Sequence, residues 1–223
     1  NPLSRGLREY GTPATVRGFY ESGTLPSYNW KTGYFRVGKI LTAEVYNQTI
    51  LKKNDTCYAC PIRCKRIVEV NDKEIIVDPV YGGPEYETLV ALGSICGISD
   101  LRYVAKANEL CNKWGLDTIS AGMTIAFAMQ CYEEGLLTGE DNDGIDLHFG
   151  NKEALLLLLE RIAHKEGFGR LLALGSHKLA EHIGRGSEKF LKEVKGQEVP
   201  MHDPRIKAGL ALQYAFSDYG ADH

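Results

Sequence analysis

Between residues 101 and 114 the apolar side chains return every three or four positions: Leu101, Val104, Ala105, Ala107, Leu110, Cys111 and Trp114. This is one face of a 3.6-residue period, and it predicts an amphipathic helix that Ser99 or Asp100 caps and Gly115 ends. The run "TISAGMTIAFAMQCYEEG" repeats the arrangement with Gly135 as its stop. "NKEALLLLLERIAHKEG" begins on Asn151, a good cap, and ends at Gly167. Two further short helices fit "GRLLALGSHKLAEHIG" and "SEKFLKEVKG". Upstream the pattern changes. "ILTAEVYNQTILKK" is near helical spacing, and "KRIVEVNDKEIIVDPV" alternates in β-branched runs around "ND", as a small hairpin does. Residues 1 to about 35 carry Gly, Pro, Tyr and Ser too often for a long element and predict an extended, loop-rich segment. The expectation is a mainly α fold: an irregular multi-helix arrangement with a small β-hairpin and loop region near the cysteines, reached through a loop-rich leading segment over 1–43.

Composition narrows the function classes. The chain has 223 residues, 43% hydrophobic and 25% charged, with a net charge of -3, which is ordinary globular usage. Mild acidity without a Lys/Arg-rich run argues against a nucleic-acid partner. No apolar stretch reaches membrane-spanning length and the opening "NPLSRGLREYGT" has no continuous apolar h-region of a signal peptide, so a cytoplasmic setting without a membrane is expected. The chain opens without Met and stops at "GADH", which reads as a piece of a longer protein.

Six cysteines in such a chain are not a disulfide framework. Cys96, Cys111 and Cys131 stand among apolar residues and read as small buried hydrophobes. Cys57, Cys60 and Cys64 differ, because "CYACPIRC" packs three thiols into one C-x-x-C-x-x-x-C loop with Pro61 stiffening it. Clustered thiolates select zinc or iron–sulphur centres. Zinc sites usually pair two separate knuckles, and no second knuckle or nearby His exists here. A 4Fe–4S cluster instead takes three ligands from one loop and a fourth from far away. On residues alone, iron–sulphur, zinc and no metal all stay open.

The blocks "CYACPIRC", "GGPEYETLVALGSICGISDL", "ANELCNKWGLDTISAGMTIAFAM", "EGFGRLLALG" and "DPRIKAGLALQYAFSDYGADH" follow one another in an order and spacing that resembles the tungsten-containing aldehyde ferredoxin oxidoreductase family. The likeness runs from about Tyr10 to His223. It implies a helical domain over 44–200 carrying the cysteine and pterin motifs, and the start of a further, truncated C-terminal helical domain over 201–223. It implies Cys57, Cys60 and Cys64 as three ligands of a 4Fe–4S cluster whose fourth ligand lies beyond His223. It implies a tungsten (or molybdenum) bis-pterin, with magnesium as an optional bridge between the pterins. Glu87 matches a carboxylate beside the metal and His223 the active-site histidine. Asn112, Gly115, Leu116 and Asp117 match a D-x-x-G-L-D pterin motif, with Asn112 standing where Asp is expected and Tyr219 where Arg is expected. The implied chemistry is oxidation of a small aldehyde to its acid, with electrons leaving through the cluster to ferredoxin or a similar carrier, in a protein that often assembles as a homo-oligomer. Two other readings stand beside it: a relative acting on another carbonyl or an aromatic acyl thioester, and a non-catalytic electron-transfer or zinc-stabilised module.

Several of these residues also have plain structural readings. Glu85 and Glu87 suit the first turn of a helix. Gly115 and Asp117 suit a helix stop followed by a helix cap. Gly93, Gly97 and Gly122 suit close helix packing as well as close approach of a cofactor. Arg205 suits either a surface salt bridge with Asp203 or a phosphate grip. His148, His164, His177, His182 and His202 show no ligand spacing and receive no role.

Overall fold

The computed structural model describes residues 2–222, so the expectation for His223 lies outside the described residues. Within them the chain is mainly helical, with three two-stranded antiparallel ribbons. The capping chemistry explains most boundaries. In α5 (Leu101–Trp114), Asp100 accepts the Arg102 amide, and Gly115 closes the helix at φ 67°. Asp117 then caps α6 (Thr118–Glu133) within two residues, so a Gly stop and an Asp start form one tight corner. Asn151 accepts the Ala154 amide to start α7 (Lys152–His164). That helix ends earlier than the expected Gly167, because Lys165 takes the left-handed C-cap at φ 54°.

Two expectations are corrected. Helices α1 (Pro2–Tyr10) and α2 (Ala14–Glu21) occupy ground read as extended, and irregular chain persists only over 22–37. Pro2 lies in the first turn and Pro13 at the cap, where a missing amide hydrogen costs nothing. Near the other end, "GRLLALGSHKLAEHIG" breaks into α8 (Gly169–Leu172) and α9 (Gly175–Ile183), with Gly175 at φ 86°. "SEKFLKEVKG" forms only a 3-10 turn, Ser187–Phe190, followed by the ribbon β5 (Glu193–Val194) with β6 (Gln197–Glu198). Lys195 and Gly196 both adopt positive φ at its turn, and that reverses the chain where a helix would continue.

The expected hairpin around Asn71-Asp72 exists as β3 (Val70–Asn71) with β4 (Ile76–Val77). Asp72 accepts the Glu74 and Ile75 amides across its turn. The preceding strand β2 (Lys65–Val68) pairs backward instead, with β1 (Leu51–Asp55). This pairing draws the ends of the cysteine loop together. α3 (Ala43–Thr49) leads into it.

The core is continuous, with buried apolar side chains from Val16 to Ala221. α6 runs through its middle, with Ala121 to Cys131 all buried, so it carries apolar residues all round rather than on one stripe. α4 (Tyr86–Ala91) crosses α6 closely: a Cβ on Gly122 would lie 2.5 Å from the Ala91 carbonyl oxygen. Gly122 therefore serves helix packing. The crossing places the first turn of α4 between the cysteine loop, the α5–α6 corner and the segment that follows β6. α10 (Ala208–Phe216) completes the fold.

Candidate functional site

The cysteine loop is organised by its own backbone. Thr56 Oγ1 donates to the Cys60 carbonyl (2.6 Å), the Cys60 amide donates to the Cys57 carbonyl (3.1 Å), and Ala59 and Arg63 take left-handed φ of 54° and 61°. Non-glycine residues seldom accept that conformation. All three thiols are free. Cys57 is exposed, while Cys60 and Cys64 are half-buried. They share one loop, but among the described residues no three His, Cys, Asp or Glu side chains converge as a ligand set. Burial pushes the Cys64 thiol up, with the Glu85 carboxylate adding to the effect.

Cys57 and Cys64 open onto a cleft of about 560 Å³ whose other walls include Lys65, Gly83, Glu85 and Asn112. Asn112 donates from its amide to the carbonyl of Tyr81 (2.9 Å), which also lines the cleft. One member of the expected pterin motif and two of the expected cluster ligands thus face the same space. Asp117 does not. It accepts from the Ile119 amide (3.0 Å) and from Ser120 Oγ (2.9 Å), and it lines a second cleft of about 310 Å³ with Ser120, Thr124, Gly175 and Glu198. Gly115 closes α5, and Leu116 packs half-buried against the core. The two structural readings of this corner, Gly stop and Asp cap, both hold.

Glu85 and Glu87 flank Tyr86 but face different surroundings. Glu85 turns toward the cysteine loop, where Thr12 Oγ1 donates to its Oε2. Burial pushes its carboxyl above the ordinary range, against the smaller opposing pull of Thr12, Arg66 and Lys65. Arg66 beside it is fully buried, its guanidinium donating to the Arg8 (3.0 Å) and Leu7 (3.3 Å) carbonyls and to Asn54 Oδ1. Glu87 turns the other way. Its Oε2 accepts the Met201 amide (2.7 Å), and its Oε1 lies 3.1 Å from His202 Nε2.

His202 and Glu198 carry no role in the sequence reading, and no local spacing links either to its partners. Glu198 is buried and accepts from the Ser176 amide (3.0 Å), Ser176 Oγ (2.8 Å) and Thr124 Oγ1 (3.3 Å), which ties the start of α9 to α6. Arg205 forms a paired contact with Asp203 (2.9 and 2.7 Å), which decides between its two readings in favour of the salt bridge. Tyr219 is exposed. Cys96, Cys111 and Cys131 are buried, and burial pushes the last two up to about 12.

Comparison with known proteins follows the same residues. The family model described as "Aldehyde ferredoxin oxidoreductase, domains 2 & 3" matches residues 1–223. The chain belongs to the aldehyde ferredoxin oxidoreductase family. The tungsten-containing aldehyde ferredoxin oxidoreductase of Thermococcus kodakarensis is 39% identical over 222 residues, and that of Pyrococcus abyssi is 40% identical over 224 residues. Both matches take in 98% of this chain and 35% of the relative, so the chain spans about a third of the length of these family members. The aliphatic sulfonate oxidoreductase, WOR-like subunit, of Pyrococcus furiosus is 32% identical over 231 residues, covering 97% of this chain and 36% of that protein. Among solved structures, the active site complex BamBC of benzoyl coenzyme A reductase superposes with a TM-score of 0.69 at 21% identity, over 95% of this chain and 31% of that one. This last likeness shows a shared fold. No single helix among the described residues is long and apolar enough to cross a membrane.

Proposed function

We propose that this chain is the helical, cofactor-facing part of an oxidoreductase that converts a small aldehyde to its carboxylic acid. Net, RCHO and water give RCOOH, two electrons and two protons. A tungsten (or molybdenum) bis-pterin, when bound, would supply the two-electron chemistry, and a 4Fe–4S cluster held by Cys57, Cys60 and Cys64 would supply single-electron transfer to ferredoxin or a similar carrier.

The shared cleft carries this reading: thiols from one loop and an amide from the pterin-type motif line the same space. The donor sets suit the groups. Cys57, Cys60 and Cys64 are three free thiols on one loop, soft donors of the kind iron–sulphur centres take. Burial, with the Glu85 carboxylate, disfavours a Cys64 thiolate, a balance that a bound cationic centre would reverse. Asn112 offers a donor and an acceptor, while Asp117 offers carboxylate acceptors beside Gly115, all suited to the amino and ring N–H groups of a pterin. Glu87, held by the Met201 amide, accepts a proton as water adds to the aldehyde, and His223 orients the carbonyl. The test is made on the intact protein. Iron, sulphide and tungsten should co-purify, Cys60→Ser should lose iron, and Glu87→Gln should lose turnover while keeping both metals. Zinc alone, or full turnover in Glu87→Gln, rejects the reading.

The sulfonate-acting relative, at 32% identity, supports a second reading of the substrate. Pocket walls outside this chain then select another oxidisable carbonyl, and a kinetic comparison of aldehydes with sulfonates and acyl thioesters separates the two.

A further inference from the structure

His202 is separated from Glu87 by 115 residues and is brought against it by three contacts. The Met201 amide donates to Glu87 Oε2 (2.7 Å), the Tyr86 hydroxyl donates to the Met201 carbonyl (2.6 Å), and the Tyr214 hydroxyl donates to the His202 carbonyl (3.3 Å). The imidazole then packs tilted against the Tyr86 ring at 5.2 Å and edge-on to the Phe19 ring at 6.0 Å. Only its two nitrogens are left for polar work. Nε2 faces Glu87 Oε1 at 3.1 Å, and Nδ1 faces Lys207 Nζ at 3.2 Å.

This geometry selects one tautomer. A lysine ammonium has three donors and no acceptor, so Nδ1 accepts from Lys207. A ring whose Nδ1 accepts carries its proton on Nε2, the nitrogen that lies 3.1 Å from Glu87 Oε1. Lys207 is itself held over the Phe19 ring, 5.1 Å from its centroid. Among the described residues, other ionisable groups near the pair are the Tyr86 and Tyr214 phenols, both pushed up by burial and by Glu87 itself, and Asp203, which is engaged with Arg205. Asp222 also pushes the Tyr214 phenol up.

We propose that His202 is a positioning residue: an imidazole whose Nδ1 is taken up by Lys207, leaving Nε2 to face Glu87 and hold its carboxylate in the orientation the oxidation requires. This rests on the reading of Glu87 given above. With Oε2 on the Met201 amide and Oε1 3.1 Å from His202 Nε2, both oxygens face one segment that is distant in sequence from Glu87. Such outer partners align a reacting group without touching substrate, and losing one typically costs about 10- to 100-fold in activity.

The test uses the intact, metal-loaded enzyme, with turnover of a small aldehyde measured against a one-electron dye and with iron and tungsten content recorded for every variant. His202→Ala should lower kcat by about 10- to 100-fold and leave KM within about twofold. His202→Gln, whose amide N–H donates in the same direction, should recover most of the loss. Added to Glu87→Gln, His202→Ala should cause little further loss, because the two act as one unit. The proposal is overturned if His202→Ala keeps its kcat, if Gln rescues no better than Ala, or if the two losses multiply. If His202→Ala comes out without metals, Lys207→Met serves instead: a several-fold fall in kcat at full metal content supports the proposal, and an unchanged kcat rejects it. Full turnover in Glu87→Gln alone is a separate outcome. It removes Glu87 from the chemistry, and the positioning role falls with it.

Discussion

Gly122→Ala isolates the contact on which the site's geometry rests. The added Cβ would lie 2.5 Å from the Ala91 carbonyl oxygen, 2.7 Å from its carbonyl carbon and 3.0 Å from its Cβ. The first two atoms are backbone inside α4, so no rotamer change relieves the overlap, and the helices must separate. Overpacking of this kind costs about 3 kcal/mol, the upper end of its usual range, because rigid atoms lie on both sides. Alanine regains about 1 kcal/mol of helix propensity over glycine. The net expectation is a loss of about 2 kcal/mol. Gly18→Ala is the internal control. It lies inside α2, exposed, with nothing within 4 Å of its added Cβ, so the same chemical change should stabilise by about 1 kcal/mol. Urea unfolding of the 223-residue chain, followed by far-ultraviolet circular dichroism, reads both from the shift in midpoint at constant slope. A Gly122→Ala variant as stable as the parent would refute the close crossing of α4 and α6, and with it the placement of Glu87 at the end of that crossing.

Two further outcomes follow from the structure. Glu85 has a folded-state pKa raised by burial, so the folded chain binds its proton more tightly than the unfolded chain does. Its stabilising contribution is whole below the ordinary carboxylate value and is lost as pH rises through the raised one. Glu85→Gln should therefore flatten the fall in urea midpoint across that window and match the parent below it; parallel pH curves would reject the assignment. Asn151→Ala removes the acceptor for the Ala154 amide and the donor to the Asp146 carbonyl (2.8 Å), and should cost about 1 kcal/mol at the start of α7, read as a lowered midpoint. A midpoint unchanged within error would mean that the cap carries no net stability.

The helices that sequence alone located are those whose boundaries are set by chemistry within three or four residues. Asp100, Asp117 and Asn151 each accept an amide of their own first turn, and Gly115 relaxes its own left-handed backbone. Such interactions are complete inside a short window of sequence, so they are visible in it. The cysteine loop and the family were legible for a related reason: spacing within "CYACPIRC" and the order of later blocks are one-dimensional facts. Misreadings fell where partners are remote or where a residue type serves two ends. Pro2 in the first turn of α1 and Pro13 at the cap of α2 start helices although proline also breaks them, and the 187–198 stretch follows the positive φ of Lys195 and Gly196 rather than its apolar spacing.

What the amino-acid order determined unaided was the class of fold, the family, and the thiols and pterin-motif residues to look for. Tertiary structure alone decided which of them meet. It brings Cys57, Cys64 and Asn112 to one cleft and sends Asp117 to another. It turns Glu85 toward the cysteine loop and Glu87 toward His202, although the two acids stand two residues apart on the same helical turn. The reason is physical. A contact between residues 87 and 202 leaves no period or spacing in the chain, and it arises only when α4, α6 and the segment after β6 bury their apolar faces together.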